Sequence, residues 1–208
     1  MKKTCLFFLF LISSSVSAGE PFAVPPSLAD EVRFWKTVFG TYDHSQVIVH
    51  DSKHLGVVYE VIDLSSGEKG KAKTERIQEA TEKIVRSLQR LASGPKPGTL
   101  SSEEQSIQRL FEEVSEPDKF QEAAKRVRIQ TGQRDHLMRA ISKSRDWIGD
   151  IEAIFEKQGL PRELTALVFI ESMFNPQAVS EVGASGFWQF MPDTGQGYLS
   201  MNAFWDDR

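Results

Sequence analysis

Residues 159–195 read GLPRELTALVFIESMFNPQAVSEVGASGFWQFMPDTG, and the fold class of the chain turns on how this stretch divides. Pro161 suits a first helical turn, where its missing N–H costs nothing. Asn175-Pro176 ends the helix, because a residue before proline avoids the α region. Between them, Leu164, Leu167 and Val168 precede Glu171 by seven, four and three residues. That spacing predicts a helix with all four on one buried face. A carboxylate there meets two effects that oppose ionisation, desolvation and the negative end of the helix dipole. That environment is the one a general acid requires. The same pattern fits a core-edge glutamate paired with Arg or Lys, or one that snorkels to solvent, since ion-pair networks also bury acids.

The residues that follow favour chemistry. In SEVGASGFWQF (180–190), Gly183 and Gly186 permit tight turns and close backbone approach. Gln189 offers a donor and an acceptor, suited to an amide or hydroxyl of a ligand. Phe187, Trp188 and Phe190 supply aromatic surface on which a sugar ring can stack. An acid, a turn and an amide among aromatics make a saccharide cleft. A plain helix-pair core accounts better for Phe187 and Phe190, whereas Trp188 fits either reading.

Working outward, Leu28, Val32, Trp35 and Phe39 recur at helical spacing and predict a short amphipathic helix. Val47, Ile48 and Val49, then Val57 to Ile62, flank a polar turn at 51–56 and predict a β-hairpin near 46–63, the only good strand signal. A long helix is expected from Lys71 to Leu91, broken by SGPKPG. Ser101 and Glu104 form a capping box that restarts helix, with Ile107, Leu110, Phe111 and Val114 as its apolar stripe. Residues 116–159 carry at least two further helical stretches, divided near Gly132 and stopped at Gly159.

The chain has 208 residues, and its first 18 read as a secretory signal: Lys2 and Lys3, an apolar core Cys5–Ile12, then Val16 and Ala18 before the cleavage point. The core is too short to span a bilayer comfortably. The alternative is an uncleaved N-terminal anchor. Cys5 has no lipoprotein-type context, so no lipid anchor is expected, and as the only cysteine it leaves no disulfide. Removing the leader takes the formal net charge from −4 to −6, which gives no electrostatic footprint for nucleic acid. Domains are expected at 1–18 (signal), 19–146 (helical region with the hairpin) and 147–208.

The segment Gly159–Gly195 resembles the lytic transglycosylases with an SLT domain of lysozyme-like fold. The Glu171-Ser172 pair, FNPQAVS, GASG and WQFMPDTG stand in the family's order and spacing, a more specific signal than any one of them. Residues 128–158 also resemble the helices that lead into that domain. The resemblance implies a mainly α fold, with an incomplete lysozyme-like SLT domain preceded by the hairpin-bearing helical region. It implies a periplasmic, cell-envelope enzyme acting on peptidoglycan glycan strands, with peripheral membrane association and neither metal nor cofactor. The β-1,4 bond between N-acetylmuramic acid and N-acetylglucosamine is cleaved, with a 1,6-anhydro product. The family's single catalytic acid maps onto Glu171, while Ser172, Gly183, Gly186, Trp188 and Gln189 map onto the substrate-binding set. An internal hydroxyl nucleophile explains why no second carboxylate is needed, unlike ordinary glycosidases. Two departures stand out. Met173 replaces a small or polar residue, and no Ala-Tyr-Asn motif follows, so only about the first half of the domain is expected here. A hydrolytic muramidase on the same fold and a non-catalytic glycan-binding chain are the alternatives.

Overall fold

The computed structural model describes residues 22–64, 70–96, 98–202 and 205–208. The expected signal, 1–18, lies outside them. The described chain is mainly helical around one small antiparallel sheet. A 3-10 turn, Pro26–Leu28, leads into α1 (Ala29–Gly40), then β1 (Gln46–Asp51) and β2 (Val58–Asp63) form the hairpin, and α2 (Lys71–Ala92), α3 (Ser102–Leu110) and α4 (Lys119–Arg126) follow.

A third strand, β3 (Val127–Thr131), completes the sheet in the order β2-β1-β3. This corrects the reading of the hairpin as the only good strand signal, and it adds a strand between the helical stretches expected in residues 116–159. VRIQT is only five residues long, and its alternation of β-branched residues with Arg128 and Gln130 is a short strand signal set between helical stretches. Its β-branched Val127, Ile129 and Thr131 nonetheless complete the ladder of β1, whose Val49 pairs with Ile129 and Asp51 with Val127. Strand preference here is set by the waiting partner rather than by local pattern. Gly132 then lets the chain turn into α5 (Arg134–Ser144): a Cβ there would lie 2.4 Å from the Tyr42 and Asp43 backbone.

Strand β1 is covered on both faces, which suits its unbroken Val-Ile-Val run. Val47 and Val49 join Ile62, Ile84, Leu88, Ile107, Phe111 and Ala123 in the main core under α2, α3 and α4. Ile48 packs on the opposite face with Phe34 and Val38 of α1. His50 lies against the Phe34 ring, centroids 4.6 Å apart, and burial pushes its imidazole below the ordinary histidine range. At the hairpin turn the buried Asp51 carboxylate accepts from the N–H groups of Lys53 and His54 and from Arg126 Nε. Arg126 in turn forks onto Glu116, so the turn is tied to the start of β3. The capping box of Ser101 and Glu104 is formed in both directions.

Beyond α5 come α6 (Ile148–Lys157), a 3-10 stretch Arg162–Ala166, α7 (Leu167–Ser172) and α8 (Pro192–Gln196), with a two-residue pairing of Met201–Asn202 with Trp205–Asp206. Gly159 stands just after α6 with φ +70°, as a helix-stopping glycine should. Among the described residues no helix is long and apolar enough to cross a membrane.

Candidate active site

The candidate acid sits on a shorter helix than the sequence predicts. Residues 162–166 wind as a 3-10 helix, and only 167–172 are α-helical. A 3-10 turn advances about 120° per residue against 100° for the α form, so five such residues rotate the apolar line by roughly 100°. The inward residues become Thr165 and Val168, while Leu167 is 49% exposed and Leu164 half-buried. Glu171 is itself exposed. The expectation that Leu164, Leu167, Val168 and Glu171 share one buried face is therefore corrected, and the desolvation half of the acid argument falls with it. The Glu171 side chain forms no hydrogen bond or ion pair with the described residues, so its carboxylate is unengaged by the protein around it.

The helix stops at Ser172, three residues before the Asn175-Pro176 breaker. Met173 and Phe174 both take left-handed backbone, at φ +51° and +52°. The Met173 N–H reaches back to the Val168 carbonyl, and the Phe174 N–H to the same oxygen at 3.4 Å, the wrapped arrangement of a helix C-terminus. Left-handed conformation costs an L residue roughly 1–2 kcal/mol. Burial of the whole Phe174 side chain, worth about 1.5–3 kcal/mol, offsets it. Its ring packs against Phe169 at 4.5 Å and Phe187 at 5.8 Å, and Phe187 continues to Trp147 at 5.5 Å. Phe187 is thus part of the packed interior, as the core reading of the sequence has it.

The glycine turn is held by its own amides. Gly183 and Gly186 have φ +85° and +78°. Ser185 pairs with both Val179 and Phe190 in small antiparallel bridges. The Gln189 side-chain amide donates to the carbonyls of Gly186 at 2.9 Å and Ala178 at 3.2 Å, and Gln189 is itself left-handed at φ +49°. The Gly186 N–H also bonds the Ala178 carbonyl. Ala178 is the anchor that sequence reasoning missed; its contribution is a backbone oxygen, and no side-chain pattern signals it. Trp188 packs half-buried on Phe155 of α6, centroids 5.7 Å apart.

One contact joins the helix to the turn. Ser172 Oγ lies 3.0 Å from the Phe187 carbonyl oxygen and 3.3 Å from that of Val168. Ser172, Gly183, Gly186 and Gln189 thus belong to one hydrogen-bonded unit at the end of α7, beside Glu171, while Trp188 leans toward α6. The Arg208 guanidinium reaches the same turn through the carbonyls of Gly183 and Phe190. Among the described residues no group of three or more His, Cys, Asp or Glu side chains is placed to hold a metal ion.

Comparison with known proteins matches residues 151–207 to the transglycosylase SLT domain. Two curated relatives, both named membrane-bound lytic murein transglycosylase D, come from Escherichia coli strains K12 and O6:H1 CFT073. Each is 44% identical over 43 residues, which is 21% of this chain and 10% of the relative. The chain therefore spans about a tenth of the length of the curated relatives it matches. No solved structure matches it. The segment 151–207, with the candidate acid, the serine clamp and the glycine turn inside it, is thus similar to the transglycosylase SLT domain.

Proposed function

We propose that this chain acts on peptidoglycan as a lytic transglycosylase, cleaving the β-1,4 bond between N-acetylmuramic acid and N-acetylglucosamine. The observation that carries the reading is the coincidence of the SLT match with an exposed, unengaged carboxylate, Glu171, at the end of the helix that Ser172 braces to the glycine turn. Glu171 donates its proton to the glycosidic oxygen as that bond to the anomeric carbon breaks. The resulting carboxylate then takes the proton of the muramyl 6-hydroxyl as that oxygen bonds to the anomeric carbon. The product is a 1,6-anhydro ring, and Glu171 ends protonated as it began. Holding the internal hydroxyl at the reaction centre supplies proximity in place of an activated water, and acid-base transfer contributes on the order of 100- to 10,000-fold.

Ser172, Gly183, Gly186, Trp188 and Gln189 line the sugar site in this reading. The hydroxyl of Ser172 and the amide of Gln189 act largely by holding the turn in place. The region from Trp147 onward forms the catalytic unit, and the protein works in the periplasm, in peripheral contact with the envelope membrane. Mass spectrometry of digested peptidoglycan tests the reaction: anhydromuramyl ends are expected, and reducing-end muramic acid would show water as nucleophile. Glu171→Gln is expected to remove turnover while leaving the circular dichroism spectrum unchanged. Unaltered turnover in that variant takes Glu171 out of the mechanism.

A further inference from the structure

Helix α1 carries two apolar faces, and only one of them is used by the fold. Phe34 and Val38 are buried against the sheet. The other line, Leu28, Val32, Trp35 and Phe39, is the one that periodicity picks out of the sequence. It is only partly covered: Leu28 is 48% exposed and Trp35 42%, while Val32 and Phe39 are half-buried. With Glu31, Lys36 and Ile170 of α7 (60% exposed) it lines an apolar groove of about 680 Å³.

The spacing of this line names its occupant. Positions 28, 32, 35 and 39 step by four, three and four, the d-a-d-a seam of a heptad. Glu31 then falls at g and Lys36 at e, one on each flank of the seam. In a parallel pair of such helices, g of one chain faces e of the other five residues on, which sets Glu31 against Lys36 of the second copy, twice per dimer. Leu28, at the end of the 3-10 turn, and the five α1 residues that line the groove are therefore the a, d, e and g positions of one self-complementary surface. An antiparallel pairing would instead place Glu31 on the same flank as its own symmetry mate, and Lys36 likewise. We propose that the open face of α1 is a docking surface for α1 of a second copy of this chain, in a parallel, two-fold pair. Ile170 lies at the margin of that seam and brings α7 to the edge of the dimer.

The helix supplies fewer than two heptads, so the interface falls at the small end of specific association. Self-association is expected in the range of tens to hundreds of micromolar, a magnitude typical of such limited surfaces. Sedimentation velocity and equilibrium on the full chain, from about 1 µM to 1 mM, read it directly. The E31K variant sets like charges across the seam and should weaken the dimer several-fold, K36E should do the same, and E31K/K36E together should restore it. Trp35→Glu should remove the dimer, with circular dichroism reporting that the fold is intact; if that variant unfolds, the charge exchange decides. In a Cys5→Ser background, Leu28→Cys should oxidise to a disulfide-linked dimer, because the parallel arrangement pairs position 28 with itself. A monomer at 1 mM overturns the proposal. So does association that ignores E31K, fails to recover in the exchanged pair, or grows beyond two copies.

Discussion

The Ser172 hydroxyl stands 3.0 Å from the carbonyl oxygen of Phe187, fifteen residues away, and joins the end of α7 to the turn that follows it. One residue back on the same helix is Glu171. The position of the candidate acid relative to Gly183, Gly186 and Gln189 is thus held by a side-chain hydrogen bond together with the packing of Phe174 on Phe187.

Ser172→Ala removes that link and leaves the half-buried Phe187 carbonyl without its donor. Loss of a hydrogen bond of this kind costs about 0.5–1.5 kcal/mol. Urea denaturation should show a lower midpoint with an unchanged slope, and turnover on peptidoglycan should fall because the turn is less well held. A variant as stable as the parent would mean the hydroxyl bonds chiefly to its own helix at Val168.

Phe174 is expected to be the most sensitive aromatic in this region. Its side chain is fully buried between Phe169 and Phe187, so Phe174→Ala should cost about 3–5 kcal/mol. Ile170→Ala, on the exposed side of the same helix, should stay within about 0.5 kcal/mol. Thermal unfolding of the two variants side by side checks the ranking, and equal losses would contradict the inward line of Thr165, Val168 and Phe174.

Gly183 and Gly186 separate two costs that usually occur together. Both have left-handed backbone, but nothing lies within 4 Å of a Cβ at 183, whereas at 186 a Cβ would lie 2.3 Å from the Arg208 backbone. Gly183→Ala should cost the conformational penalty alone, about 1–2 kcal/mol. Gly186→Ala should cost more, because Arg208 must move as well. Stability curves in which Gly186→Ala is the milder change would refute this packing.

Acid should release the hairpin clasp through Glu116. Hydrogen bonding from Lys53 in the first place, with His54 and Arg126 adding to it against some desolvation, holds this carboxyl at about 2 instead of 4.5. Because the folded value is depressed, the stabilisation is complete above about pH 4.5 and is lost as the pH falls toward 2. The stability gap between the parent and Glu116→Gln should accordingly be widest near neutral pH and close between pH 4.5 and 2. A gap independent of pH across that window would show that Glu116 contributes through packing.

What was legible in the sequence is local. Pro161, Gly159 and the Ser101–Glu104 box mark real boundaries because each acts through its own backbone. The β-branched and aromatic runs Val47–Val49 and Val57–Ile62, set around a polar turn, mark a real hairpin because the turn joins them within a few residues. The order of Glu171-Ser172, the glycine turn and WQF marks the segment that matches the SLT domain, since residue types at fixed spacing survive without any knowledge of packing. The strand Val127–Thr131 was not legible, because its conformation is chosen by the open edge of β1. The exposure of Glu171 was not legible either, because it depends on residues 162–166 winding as a 3-10 helix, a difference of one hydrogen-bond partner per residue that leaves no trace in hydrophobic period.

By itself, then, the sequence determined which segments are helical, where most of them stop, and which acid stands before which turn. Those are consequences of propensity and of backbone groups that find partners within a few residues. The tertiary structure alone decided which face of each helix is inside. For α1 it buried Phe34 and Val38, left Val32 and Phe39 half-buried and put Trp35 outside; for α7 it buried Val168 and left Glu171 in solvent. Apolar residues on two sides of a helix compete for one interior, and the contest is settled by the shape of the sheet and the aromatic cluster they meet.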